Sequence, residues 1–394
     1  MGNDVKKIPD LSVYRKPPDS QSGPTYKKPA DGSTATPVER RQYVGMVDWE
    51  EMKLFVEVKR DHSSSPFPQT GVEPIDSNST TMTVPTTNAA LETRGQLAEY
   101  ASQLRLHQHR TFSLSVIVVS ETARFLRWDQ VGAIVSQPIN YKQSPHLLLR
   151  FFYYIGQMSD DELGWDPTVR RAEDGDEVLW RTTMVTLPDR IREALDLVLK
   201  SPKLYRVKVP GDDLATAWMR WEAKKGDGSS PPPRSREREF IIGKYAAGHH
   251  SPTGRGTKGY LALDPCRRQF VYLKDSWQPD YSGYKDFMER SEPEIITYYR
   301  LHDNKVDYIA TVVCGGDVSS DGDSLQTTVT HDYLDKKYLP RVHTRLVVEE
   351  VGLPLSNFLH SNELVNATYD GLLGEISRQS RSLLDQLMSY VMVG

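Results

Sequence analysis

Cysteine is nearly missing from this chain: Cys266 and Cys314 are the only two among 394 residues. Two thiols are too few for a disulfide framework, so a reduced pair is expected. No run of about twenty apolar residues occurs, and the opening MGNDVKKIPDLSVYRKPPDS lacks the apolar centre of a secretion signal. The expectation is an intracellular protein, cytoplasmic or nuclear, with no membrane partner. A Met-Gly start does not make a myristoylation site, because Lys6 stands where Ser or Thr is required. Strong charge of one sign is lacking too: 49 Lys and Arg against 53 Asp and Glu give a net charge of −4. That balance gives no case for a protein that coats nucleic acid or membranes generally, and is otherwise uninformative. The Gly-Lys-Ser/Thr of a Walker loop is absent, as are GxSxG, HExxH and EF-hand patterns.

Proline and glycine are abundant by contrast, 25 and 26 residues, and they are clustered. Residues from about Lys16 to Glu39 and from about Asp61 to Asn88 are expected to be loops or disordered insertions. Between and after them, MKLFVEVKR reads as a strand and LETRGQLAEYASQLRLHQHR as a helix with Leu97, Ala101 and Leu104 at helical spacing. FSLSVIVVS and ARFLRWDQVGAIVS read as two strands joined near Glu121 and Thr122. Residues 1–143 are thus expected to form a small α/β domain. A helical connector is expected over 144–224, with Ile191, Ala194, Leu195 and Val198 on one helix face. The Pro, Ser and Arg-rich run over 225–238 reads as a linker to a further domain over 239–394.

That further domain opens on a glycine pattern. Gly254, Gly256 and Gly259 give GxGxxG, the spacing at which a backbone can approach phosphate oxygens closely. A polar hairpin turn is the plain alternative for any isolated match. The setting favours the phosphate loop: EFIIGKYAA precedes it, KGYLALD can return from it, and FVYLKD carries Lys274 after a hydrophobic-x-hydrophobic step. A Rossmann loop would lead into a helix, and here a strand follows. ERSEPEIITYYRL then offers Glu292 or Glu294 on a helix as partner for Lys274, or else a solvated helix face. YIATVVCGGDV and HTRLVVEEVG complete the strand set, and the second ends at Glu349, Glu350 and Val351.

Together GRGTKGYLALD, FVYLKDSW, CGGDV and HTRLVVEEVGLPLSNF resemble the fungal-type protein kinases. The block RGQLAEYASQLRLHQHRTFSLSVIVVSETARFLRWDQVGAIVS and GWDPTV at Gly164 to Val169 are similar to the extension ahead of the kinase domain in that family. The resemblance implies an α+β fold: a kinase small lobe of antiparallel sheet plus helix, an incomplete large lobe, and a small α/β domain in front. It implies ATP-dependent phosphorylation of protein Ser or Thr, with ATP and Mg2+ as cofactors and a protein substrate that the sequence does not identify. The nucleotide residues it implies are Gly254, Gly256, Gly259, Lys274, Glu292, Glu349 and Val351. Neither an HRD-type nor a DFG-type motif occurs, so no catalytic or metal residue carries over, and the expectation is a member cut short before its catalytic loop and inactive. A shortened gene model and a natural pseudokinase both fit.

A second constellation lies in the first domain. IPDLSVY, LFVEVKR and GQLAEYA line up with the PD, ExK and QxxxY motifs of the restriction-endonuclease-like superfamily. The resemblance implies that Asp10 and Glu57 hold a divalent metal, Lys59 polarises a phosphate or activates water, and Gln96 and Tyr100, a helical turn apart, face the site. Nucleic acid is the partner this implies. The plain alternative is a charged strand with Asp48 or Glu51 at its rim and a helix packed on a sheet. His107 and His109, with no Cys or Asp at metal spacing, read as polar residues near a helix end.

Overall fold

A computed structural model describes residues 8–14, 47–68, 85–201, 203–224, 230–248, 251–281, 292–320, 324–334, 338–353 and 355–373. Most of the two expected insertions, the start of the linker and the tail after residue 373 lie outside the described residues. The chain divides into two compact units. The first comprises Met1–Pro167 with His250–Gly256 and Thr328–Tyr338; the second comprises Thr168–His249, Thr257–Thr327 and Leu339–Gly394.

In the first unit, β1 (Leu11–Tyr14), β2 (Met52–Lys59), α1 (Asn88–His107), β3 (Ser113–Val119), β4 (Thr122–Trp128), β5 (Ala133–Val135) and β6 (Ile139–Asn140) follow in order. The strands lie side by side as β1-β2-β3-β4-β5, with β6 beside β4. Only β2 and β3 run parallel, and α1 is the crossover between them. Thr87 caps α1 by accepting the Ala90 N–H. Leu97, Tyr100, Ala101 and Leu104 recur at three and four residues, so they form one stripe and bury against Phe55, Ile117, Leu126 and Trp128. The other sheet face is covered by α2 (Pro145–Gln157), whose Leu148, Phe151, Phe152 and Ile155 pack on Val56, Val116 and Phe125.

The second unit begins earlier than the sequence predicts. Of the connector expected over 144–224, only α2 belongs to the first unit, and from Thr168 the chain belongs to the second. The next helices are α3 (Asp174–Met184), α4 (Asp189–Ala194) and α5 (Asp196–Leu199), so the single helix read from PDRIREALDLVLK is two short ones. Two strands accompany them, β7 (Val169–Arg171) and β8 (Tyr205–Val209), which extend the main sheet of the second unit. Three and five residues are too few for alternation to declare them in the sequence. After α6 (Leu214–Lys224) come β9 (Arg238–Ile242), β10 (Ala247–Gly248), β11 (Lys258–Asp264), β12 (Gln269–Pro279), α7 (Glu294–Asp303), β13 (Val312–Asp317) and β14 (Arg341–Val348). Residues 361–373 are helical.

This sheet is antiparallel throughout, ordered β13-β14-β12-β11-β9-β8-β7, with β10 paired to β11. It curls: Asp212, just past β8, bridges to Gly315 of β13, whose N–H donates to the Asp212 carbonyl at 3.0 Å. Inside the curl, Val207, Phe240, Tyr260, Val271, Leu273 and Val347 form one core. Outside it, α3 covers Leu261, Leu263 and Phe270 through Trp180, while α6 and α7 cover Leu346 and Val348. The antiparallel sheet with its helix is the α+β arrangement that the kinase resemblance implies.

Candidate functional sites

Strand β12 settles where Lys274 points. Successive side chains alternate across a strand. Val271 and Leu273 face into the curl, so Lys274 faces outward with Tyr272, toward the helices. Its ammonium meets the carboxylate of Glu294 at 2.6 and 2.7 Å, both side chains 30 % exposed. Of the two glutamates left open by the sequence, Glu294 is therefore the partner. Glu292 instead binds Arg300 at 2.6 and 2.8 Å. Pro293 is the physical reason: it caps the start of α7, leaving Glu292 ahead of the helix and Glu294 in its first turn.

The three glycines have different justifications. Gly254 and Gly256 have φ of 97° and 52°, left-handed conformations that favour glycine. They fall in the segment grouped with the first unit, where the Gly254 N–H donates to the Gln130 carbonyl at 2.8 Å. Gly259 lies in β11 of the second unit, opposite Lys274 in the ladder, and a Cβ there would collide with the Tyr272 ring. A strand leaves the last glycine, as a kinase-type loop requires and a Rossmann loop does not. At the end of β14, the Glu349 N–H donates to the Thr311 carbonyl at 2.9 Å, and its carboxylate binds Arg267. Glu350 accepts both the N–H and the hydroxyl of Thr311, which holds its carboxyl below the usual range despite the opposing effect of burial. Val351 packs with the Trp180 cluster.

The first-unit constellation converges. Asp10 Oδ2 accepts the Val58 N–H at 2.8 Å, which places it beside Glu57. Glu57 is 2 % exposed; its Oε1 takes the Lys59 ammonium at 2.5 Å and its Oε2 has no hydrogen-bond partner. Burial raises the Glu57 carboxyl, the Lys59 hydrogen bond opposes this, and the nearby Asp10 charge adds to it. The Asp10 backbone adds a small effect in favour of the charged form. Tyr100, from α1, donates its hydroxyl to the Ile8 carbonyl at 2.9 Å and so ties down the segment that carries Asp10. Burial, with Glu57 and Asp10 near by, pushes its phenol up. Gln96, one turn earlier, also has a buried oxygen without a partner. Asp48 turns back on the N–H groups of Glu50 and Glu51 instead.

Among the described residues no three His, Cys, Asp or Glu side chains gather as a metal cluster. Cys314 is buried and its thiol pushed up to about 11, so it is no nucleophile. No helix among the described residues is long and apolar enough to cross a membrane. Sequence reasoning put residues 214–224 in the helical connector without linking them to Lys274. Helix α6 packs along α7, with Trp218 stacked on Tyr299 at 4.6 Å between ring centroids and Trp221 buried beside Ile295 and Ile296. Its signal was present in LATAWMRWEAK, where Ala217 and Trp221 recur at four residues.

No curated protein and no solved structure matches the chain. A family model described as fungal protein kinase matches residues 51–377, most of the length and parts of both units, and the chain belongs to that family.

Proposed function

We propose that the second unit is a protein-kinase small lobe that grips a nucleotide, with Lys274 as the phosphate ligand and Glu294 as the group that holds it. The observation that carries this is the Lys274–Glu294 ion pair on the outward face of β12. Protein kinases need that pair in place to orient the phosphates of ATP. Bound ATP would bring the transferable phosphoryl group, and Mg2+ would neutralise its charge. Lys274 supplies a directed point charge to the phosphates; Glu294 fixes where that charge stands. Glu349, directly after strand β14, and Val351 beyond it are the stretch we assign to adenine. By family, the activity is phosphorylation of protein Ser or Thr.

Nucleotide-induced thermal stabilisation of the full chain tests this. Lys274→Ala is expected to weaken ATP binding by about 10- to 100-fold, the effect of losing one charge-assisted contact of ~1.5–3 kcal/mol. Equal stabilisation of wild type and Lys274→Ala by ATP would sink the proposal.

A second reading is favoured by the unpartnered Oε2 of buried Glu57. A carboxylate oxygen shut from water without a donor is expensive unless a cation completes it. Asp10 and Glu57 would hold a hard divalent cation, water filling the remaining positions, while Lys59 faces an anionic substrate such as a phosphodiester. The expected result is magnesium-dependent cleavage of nucleic acid that is lost in Glu57→Ala and in Lys59→Ala but unchanged in Lys274→Ala. Cleavage that survives Glu57→Ala would rule this out.

A further inference from the structure

Helix α7 is ten residues long, and a helix of that length has little stability of its own. Glu294 is its first residue, so any shift of the helix moves the carboxylate. The ion pair it makes is partly exposed, and such pairs are too weak to anchor a helix. Something else must set its position.

Helix α6 does so by three contacts on one face. Trp218 lies flat on Tyr299, the rings 10° apart, and the Arg300 guanidinium stands 5.1 Å from the Trp218 ring centre. Ala217 and Trp221 fill the space against Ile295, Ile296, Leu346 and Val348. Glu292 holds Arg300 in turn. Helix α6 is also fixed by contacts that do not involve α7. Asp213 caps it through the Thr216 N–H at 2.8 Å, Arg220 binds Asp212 at 2.8 Å, and Lys224 binds Asp317 at 2.8 Å. Helix α6 is thus a braced layer, and α7 rests on it.

We infer that α6 is a built-in positioning element for the nucleotide grip: Trp218 and Trp221 hold α7 so that Glu294 meets Lys274. The inference rests on reading Lys274 as the nucleotide ligand, and it makes the segment ahead of β9 a lever on that site. Trp218 and Trp221 are positioning residues, acting through Glu294 and touching no nucleotide themselves.

The test needs a signal from the ion pair itself. Lysine acylation of the full chain by acetic anhydride, followed by mass spectrometry, reads the freedom of each amine without nucleotide. Lys274 labelling is expected to rise several-fold in Trp218→Ala and in Glu294→Gln, and no further in the double variant. Trp218→Phe, which keeps the stack, is expected to stay near wild type. Tyr299→Ala removes the same stack from α7 and is expected to match Trp218→Ala should that variant fold poorly. Lys258, buried in β11, should stay unlabelled and so reports an intact fold. ATP affinity should fall in parallel with the rise in labelling. Lys274 labelling that responds to Glu294→Gln but not to Trp218→Ala or Tyr299→Ala overturns the inference. Labelling that responds in all three without any ATP binding supports the positioning role and sinks only the nucleotide proposal.

Discussion

Asp275→Ala is expected to lower the stability of the second unit by about 3–5 kcal/mol, the range found when one partner of a buried ion pair is removed. Asp275 follows Lys274 on β12 and therefore points the other way, into the curl of the sheet. Its carboxylate takes the Arg345 guanidinium at 2.9 Å on one oxygen and the His343 ring at 2.8 Å on the other. Arg345, 1 % exposed, reaches across to the Thr168 hydroxyl and the Lys208 carbonyl at 2.7 and 2.6 Å. His343 also meets Gln326 and lies flat against Trp277. Without Asp275 a buried guanidinium loses its counter-charge, and the link from β14 to β8 loses its anchor. Urea unfolding followed by hydrogen exchange in β12 and β14 measures the loss; a change under about 1 kcal/mol would refute it.

The same network has a pH signature. Burial alone would raise the Asp275 carboxyl, but His343 and Arg345 together hold it far below the usual carboxylate range. A depressed folded-state pKa stabilises at every pH above the unfolded value, about 3.9, and that stability is lost as pH falls toward the folded value. Between about pH 4 and pH 2 the wild type should therefore lose roughly 1.4 kcal/mol per pH unit from this group. Asp275→Ala should show a correspondingly flatter acid limb.

None of this network was legible in the sequence, because its members lie at positions 168, 208, 275, 326, 343 and 345 and only the curl brings them together. What was legible was local or nearly so. The glycines, Lys274 and the following helix stand in one stretch, where the strand period alone decides that Lys274 and Asp275 face opposite ways. Between Glu292 and Glu294 the deciding residue was visible too: Pro293 fixes the helix start, and one residue of phase separates an Arg300 partner from a Lys274 partner. In the first unit the motif residues were readable singly, but Asp10 reaches Glu57 only because β1 pairs with β2, with Leu11 opposite Val56. The Tyr100 hydroxyl that secures this pairing bonds a backbone carbonyl, which side-chain identity cannot reveal. Strands β7 and β8 stayed hidden because they are too short for periodicity, and their burial comes from the closing of the sheet.

Arg110→Ala is expected to cost the first unit on the order of 3–5 kcal/mol, since each buried acceptor left without a donor costs ~1–3 kcal/mol. The Arg110 residue is 8 % exposed and its guanidinium binds four acceptors: the carbonyls of Met52, Lys53 and Leu163 at 2.9, 3.0 and 2.9 Å, and the Gln108 side chain. The Trp165 ring lies 3.4 Å below it. One planar cation thus fastens the start of β2, the end of α1 and the turn after α2. A lysine here would keep the charge but not the fork, and one ammonium cannot reach three carbonyls in different directions. Arg110→Lys should therefore recover less than half of the loss, whereas a purely electrostatic role would give nearly full recovery. Because the chain holds two units, a single melting temperature would mix them; hydrogen exchange in β2 and β3 against β12 and β14 separates the two. Protection should fall in β2 and β3 alone; the Met52 carbonyl keeps the Gln108 side-chain N–H at 2.8 Å, so unchanged protection there would show that the carbonyls of Lys53 and Leu163 find other donors.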